Sequence, residues 1–140
     1  MKKKLIITIL TFSILGIIVF SIDYFTKNDT KEGSKEIRIK VVDEINDKVL
    51  YDDIIFTDAL TLDKALLEVK ELKVVVKEGP YGLELSSILE IDQTFDTGPW
   101  WVYSSDNNKT CLEQTFCPVL NDLPINDKDS FKFSYIDKFE

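Results

Sequence analysis

The longest apolar run lies near the start of the chain. Leu5 to Ile22 reads LIITILTFSILGIIVFSI, 18 residues without a charge. As a helix this run spans about 27 Å, close to the apolar thickness of a bilayer. Lys2, Lys3 and Lys4 precede it, and Asp23 is the first acid after it. That asymmetry places the N-terminus in the cytoplasm and the remainder outside. Two readings stay open at this point. One is an uncleaved signal anchor, favoured because the run exceeds the roughly 7–15 residues of a cleaved core. The other is a signal peptide cut after Ser21. Asp23–Lys35 is polar, contains Gly33 and Ser34, and predicts a flexible stalk. The expected organisation is a basic cytoplasmic stub (1–4), a single transmembrane signal anchor (5–22), a stalk (23–35) and one folded domain (36–140).

Beyond the stalk the periodicity changes. Ile37, Ile39 and Val41 alternate with Arg38, Lys40 and Val42, the signature of a strand with one apolar face. Asn46-Asp47 predicts a turn, and Val49–Phe56 a second strand that completes a hairpin. Leu62, Ala65, Leu66, Val69 and Leu72 then form a single stripe at helical spacing. Thr61 is a suitable N-cap, Asp63 suits the first turn, and Lys64 with Glu68 makes an i,i+4 pair. Val74–Val76 predicts another strand, broken at Gly79-Pro80. Leu83–Ile91 is ambiguous between strand and short helix, and Asp92–Gly98 is a loop. Trp100–Ser104 predicts an aromatic strand, with Trp100 and Val102 on one face and Trp101 and Tyr103 on the other. Asp106-Asn107-Asn108 is a turn and Thr110–Leu123 a long loop. Phe131, Phe133 and Tyr135 alternate in a last strand. Strands around one helix predict a small α+β domain.

Composition narrows the chemistry. The 140 residues contain 17 Lys+Arg, 25 Asp+Glu and no His. Without His there is no Ser-His-Asp or Cys-His pair and no imidazole ligand for a metal. The net charge of −8 falls to −11 once the three N-terminal lysines are set aside. Such a surface opposes nucleic-acid binding. No segment has the spacing of a calcium-binding loop. Carboxylates alone make a weak case for a glycosidase, so the expectation is a binding module, not an enzyme, with no metal.

The stretch from about Glu36 to Phe139 resembles the transcobalamin-like C-terminal domain family, a β-grasp-type module of bacterial surface proteins. Four pieces carry the resemblance in order. Thr61–Leu66 resembles a Thr-x-x-x-Ala-Leu helix start, and Gly82 with Ser87-Ile88 resembles a Gly-x-x-x-x-Ser-Ile segment. Trp101-Val102-Tyr103-Ser104-Ser105-Asp106-Asn107 resembles a Trp-x-Tyr-x-x-Asn-Gly strand and turn. Ile125–Phe133 resembles a final Leu-x-Asp-Gly-Asp-x-Val-x-Phe. Two departures stand out: Asp106-Asn107 replaces Asn-Gly, and Lys128 replaces the central Gly, which matters if that position needs a positive φ. The resemblance implies a β-grasp-like sheet with one packed helix, and a cobalamin-like or other small-molecule ligand. With no His, this chain would cover such a ligand without coordinating its metal.

The expected contacts are Tyr81, Gly82, Trp100, Trp101 and Tyr103, with Asp106 and Asn107 at the edge. Adjacent tryptophans on a strand point to opposite faces, so one can serve as a binding platform. In the competing arrangement Trp101 and Tyr103 fill the core and Trp100 packs under the Asp92–Gly98 loop. Cys111 and Cys117 are expected to pair outside the cytoplasm, with two reduced thiols as the alternative. The expected function is non-covalent ligand capture by a membrane-anchored extracytoplasmic domain. The alternative is a structural or adhesive surface module that meets another protein or the cell wall.

Overall fold

The structure is a computed structural model that describes residues 33–139. The apolar run 5–22 and most of the expected stalk lie outside the described residues. Among the described residues no helix is long and apolar enough to cross a membrane.

The fold is mixed α+β with two sheets. Strands β1 (Lys35–Asp43) and β2 (Lys48–Thr57) form the expected hairpin. Its turn is closed by Asp43, whose carboxylate accepts from the main-chain N–H groups of Ile45 and Asn46 and from Asn46 Nδ2. The last strand, β7 (Ser130–Ile136), pairs parallel to β1, and β6 (Trp100–Ser104) pairs antiparallel to β7. The four-stranded order is therefore β2-β1-β7-β6. A separate three-stranded sheet consists of β3 (Val75–Gly79), β4 (Gly82–Ile88) and the short β5 (Ile91–Asp92). The ambiguous stretch after Gly82 is thus a strand, and the single expected sheet is divided in two.

Helix α1 spans Leu62–Glu68 and continues after Val69 as a 3-10 turn, Lys70–Leu72. The break at Val69 does not interrupt the stripe, because Leu62, Ala65, Leu66 and Leu72 are all buried. Thr61 takes the N-cap position without a side-chain cap bond. The Leu123 carbonyl accepts the Leu62 N–H instead, at 3.0 Å. Glu68 departs from the expected pairing with Lys64, and its carboxylate accepts from Thr57 Oγ1 at 2.6 Å. One core joins both sheets and the helix, with Ile37, Ile39, Val41, Phe131 and Phe133 fully buried on the inner face of the large sheet.

The expected loop at 110–123 contains two short helical elements: α2 (Lys109–Gln114) and a 3-10 turn (Leu120–Asp122). The fully buried Asn108 caps α2. Its side-chain oxygen accepts from Cys111 N–H at 3.1 Å, while its Nδ2 donates to Asp129 Oδ2 at 2.6 Å and to the Pro124 carbonyl at 3.0 Å. Cys111 and Cys117 are joined by a disulfide, which closes this segment. Its reduction is expected to lower unfolding free energy by about 2 kcal/mol in the chain-entropy picture. Mass spectrometry of unreduced protein, with no alkylatable thiol, and urea unfolding with and without reductant check this.

Lys128 has φ +71, a left-handed conformation that costs an L-residue about 1 kcal/mol. Its ion pair with Glu36 is solvent-exposed and offsets little of that. Lys128→Gly should therefore stabilise the fold by about 1 kcal/mol. The shift is measurable as a higher urea midpoint, followed by the fluorescence of Trp100 and Trp101.

Candidate functional site

A slot of about 250 Å³ runs between β4 and β6. Leu83, Glu84 and Leu85 line one side, and Trp100, Trp101, Val102 and Tyr103 the other. Gln93, Phe95, Val119 and Phe139 complete it. Consecutive residues of a strand alternate between faces. A wall built from four consecutive residues of β6 therefore lies along the strand edge, not on a sheet face.

Trp101 is almost fully buried. Its ring packs on Tyr135 with centroids 4.8 Å apart, and its Nε1 donates to the Ile91 carbonyl at 2.8 Å. Trp100 is half-buried on the other face, packed against Phe139 with ring centroids 5.0 Å apart and the planes tilted by 39°, and its Nε1 donates to the Phe95 carbonyl at 3.0 Å. Gly98 makes this possible. It has φ +69, and a Cβ there would lie 2.6 Å from the Trp100 ring. The Asp92–Gly98 loop therefore packs on Trp100, the competing arrangement of the two, while leaving part of the indole at the slot. Phe95 also lines the slot and carries Lys77 Nζ 3.6 Å from its ring centroid.

Tyr103 lines the slot and donates from its hydroxyl to the Pro118 carbonyl at 2.7 Å. Burial, and secondarily the Glu84 carboxylate, push its pKa well above the usual tyrosine value. Gln93 ties the two walls together. Its Oε1 accepts the Trp101 N–H at 2.9 Å, and its Nε2 donates to the Leu85 carbonyl. Asn121 Oδ1 accepts the Leu83 N–H at 2.9 Å. That approach requires Gly82, where a Cβ would stand 2.7 Å from Asn121 Oδ1.

The expected contacts therefore divide. Trp100, Trp101 and Tyr103 converge on the slot, and Gly82 positions its wall. Tyr81 sits at the tip of the β3–β4 hairpin, 84% exposed and apart from the slot lining. Asp106 lines a different depression of about 340 Å³ with Arg38, Lys40 and Lys132. Asn107 is engaged within the chain: Oδ1 accepts from Ser130 N–H at 2.8 Å and Nδ2 donates to the Lys128 carbonyl at 2.9 Å. Gln93, Phe95, Glu84 and Phe139 were not expected from the sequence. They come from separate segments, and only the fold brings them together.

The slot is aromatic, with one carboxylate and no nucleophile–base pair among its lining residues. Among the described residues, no group of three or more His, Cys, Asp or Glu is placed to hold a metal ion. No family model matches the chain, and no curated protein matches it. The fold does have a solved counterpart. A candidate metal-binding protein from Ruminococcus gnavus ATCC 29149 aligns with a TM-score of 0.60 at 21% identity, over 76% of this chain and 100% of that one. The likeness shows a shared fold.

Tyr103→Phe should cost about 1 kcal/mol at neutral pH by stranding the Pro118 carbonyl. Its pH signature is more diagnostic. The folded protein holds the phenolic proton more tightly than the unfolded chain, so stability is intact below about pH 10 and falls as pH rises further. The variant should lose less stability than the wild type between neutral pH and pH 11. Tyr51 and Tyr135 are raised as well, so the slope should shrink without vanishing. Urea unfolding across that range measures it.

Proposed function

We propose that residues 36–140 form an extracytoplasmic module that captures its ligand non-covalently, and that the slot between β4 and β6 is the capture site. The observation that carries this reading is the convergence of Trp100, Trp101, Tyr103, Phe95 and Phe139 on one recess. Aromatic walls with a few fixed polar groups are the usual makeup of a binding pocket. In this reading the apolar run 5–22 tethers the module to the membrane.

We further relate the module to the transcobalamin-like domains. The four-stranded sheet has its first and last strands parallel at the centre, with α1 in the same core, which supports a β-grasp assignment. Size limits the ligand. A recess of about 250 Å³ lies below the roughly 300–1,000 Å³ of pockets that enclose whole drug-sized molecules. It admits one ring or one branched group. A cobalamin-like molecule would insert an edge or a substituent while the rest lay across the rim.

Isothermal titration calorimetry of the full chain in mild detergent tests this, with cyanocobalamin, haemin and chitotetraose as separate titrants. At least one should bind, and Trp100→Ala should weaken it by about tenfold or more while urea unfolding stays cooperative and the variant remains folded. No binding by any of them would move the assignment to the second reading, a surface module that contacts another protein. That reading has its own support in the open edge of β6.

A further inference from the structure

We propose that the slot accepts an extended peptide, which adds as a strand to the free edge of β6 and seats one apolar side chain beside Trp100 and a basic one beside Glu84. The proposal rests on the slot being the binding site and names the chemistry of its partner.

The edge itself is the first argument. Trp101 N–H donates to the Gln93 side chain, away from β7. In an antiparallel pair, alternate residues direct both main-chain groups to the same side. The regular β6–β7 register therefore turns the N–H and C=O of Tyr103, and the C=O of Trp101, toward the slot. Among the described residues no hydrogen bond takes up these three groups. An unpaired row of this kind is a template for another strand. The opposite edge of the sheet is guarded: β2 carries Asp52 and Asp53, and Asp53 itself occupies the Ile54 N–H at 2.8 Å. Between Trp100 and Ser104 there is no charge at all.

The second argument is that side-chain amides already stand where a neighbouring strand would. At one end of the slot, Gln93 accepts from β6 and donates to β4, as a peptide unit between two strands does. On the β4 side, Asn121 takes the Leu83 N–H. The gap is thus spanned by one amide at Gln93 and stays unspanned at Tyr103. A segment entering there would continue the row that Gln93 begins, and its alternate side chains would point to the Trp100 and Tyr103 faces.

Charge selects the occupant. Glu84 has no ion-pair partner among the described residues, while the nearby Lys77 is engaged over Phe95. The chain outside the N-terminal lysines carries a net −11. A Lys- or Arg-bearing segment is therefore attracted at long range and paired at Glu84.

The probe is a blocked heptapeptide, Thr-Lys-Val-Phe-Val-Lys-Thr, titrated against the full chain in mild detergent. Controls are the same peptide N-methylated at alternate backbone amides, and a Glu84→Lys variant. The peptide should bind and slow amide hydrogen exchange at Tyr103. N-methylation, which keeps every side chain but removes the pairing donors, should weaken binding by about tenfold or more. Glu84→Lys should weaken it at low salt and lose that effect at high salt. Absence of binding at millimolar peptide, or equal binding of the N-methylated form, would overturn strand addition. If cyanocobalamin, haemin or chitotetraose binds in a Trp100-dependent way while the peptide does not, the slot stands as a capture site and only the peptide assignment fails.

Discussion

The parallel pairing of β1 with β7 is the constraint on which the rest of the molecule depends. Two parallel neighbours cannot be joined by a tight turn, so the chain between Asp43 and Ser130 makes a long connection that adds β2 and β6 on the two flanks and leaves the sheet between them to form α1 and the second sheet. The pair is held from one side by Ile37, Ile39, Val41, Phe131 and Phe133, all fully buried. Fully burying side chains of these sizes contributes roughly 1.5–3 kcal/mol each relative to exposure. With β1 and β7 central, β2 takes one flank by a hairpin and β6 takes the other. The aromatic strand is an edge strand for that reason, and its chemistry follows from being one.

Polar groups then fix what the apolar core leaves loose. The segment between β6 and β7 is folded around Asn107 and Asn108. Asn107 binds the main chain at Lys128 and Ser130, while Asn108 binds at Cys111, Pro124 and Asp129. Asn108 is fully buried, and the groups it satisfies would otherwise be left unpaired at a cost of about 1–3 kcal/mol each, while the Asn107 bonds are exposed and set the local chain path. The same principle acts on the other side of β6, where Gln93 and Asn121 satisfy strand edges with side-chain amides. The Gln93 contact holds β4 near β6 without merging the two sheets. The slot is the space left over, bridged at one end by the Gln93 amide.

Period-two alternation made β1, β6 and β7 legible in the sequence, because each has one face in the core. The stripe Leu62–Leu72 was legible for the same reason, although the backbone changes from α to 3-10 at Val69. Helix α2 was not. KTCLEQ has little apolar periodicity, and its stability comes from the Asn108 cap and the Cys111–Cys117 bond. The second sheet was hidden too, since which edge β3–β4 faces is decided by contacts distant in sequence. Within the site, Trp100, Trp101 and Tyr103 stood out as a local aromatic cluster. Glu84, Gln93, Phe95 and Phe139 did not, because nothing local distinguishes a slot residue from an ordinary surface one. Lys128 was visible only against the resembling motif, where Gly is expected, and its φ of +71 explains that expectation.

The absence of histidine and the scarcity of arginine shape how such a module can discriminate. With Arg38 committed to Asp52 in a two-point contact at 2.9 and 3.0 Å, no guanidinium remains to read a carboxylate or phosphate. With no imidazole there is no side chain that changes charge between pH 5 and 8 at its ordinary pKa. In the proposed reading, selectivity comes from the shape of an aromatic recess, from one carboxylate and from main-chain groups of fixed direction. Main-chain groups recognise backbone in any sequence, and a recess of about 250 Å³ selects by size more than by identity. In the proposed reading, the combination suits a binder of partners that share an extended form and a basic character, because each group available to it reads form or charge and none reads a single functional group.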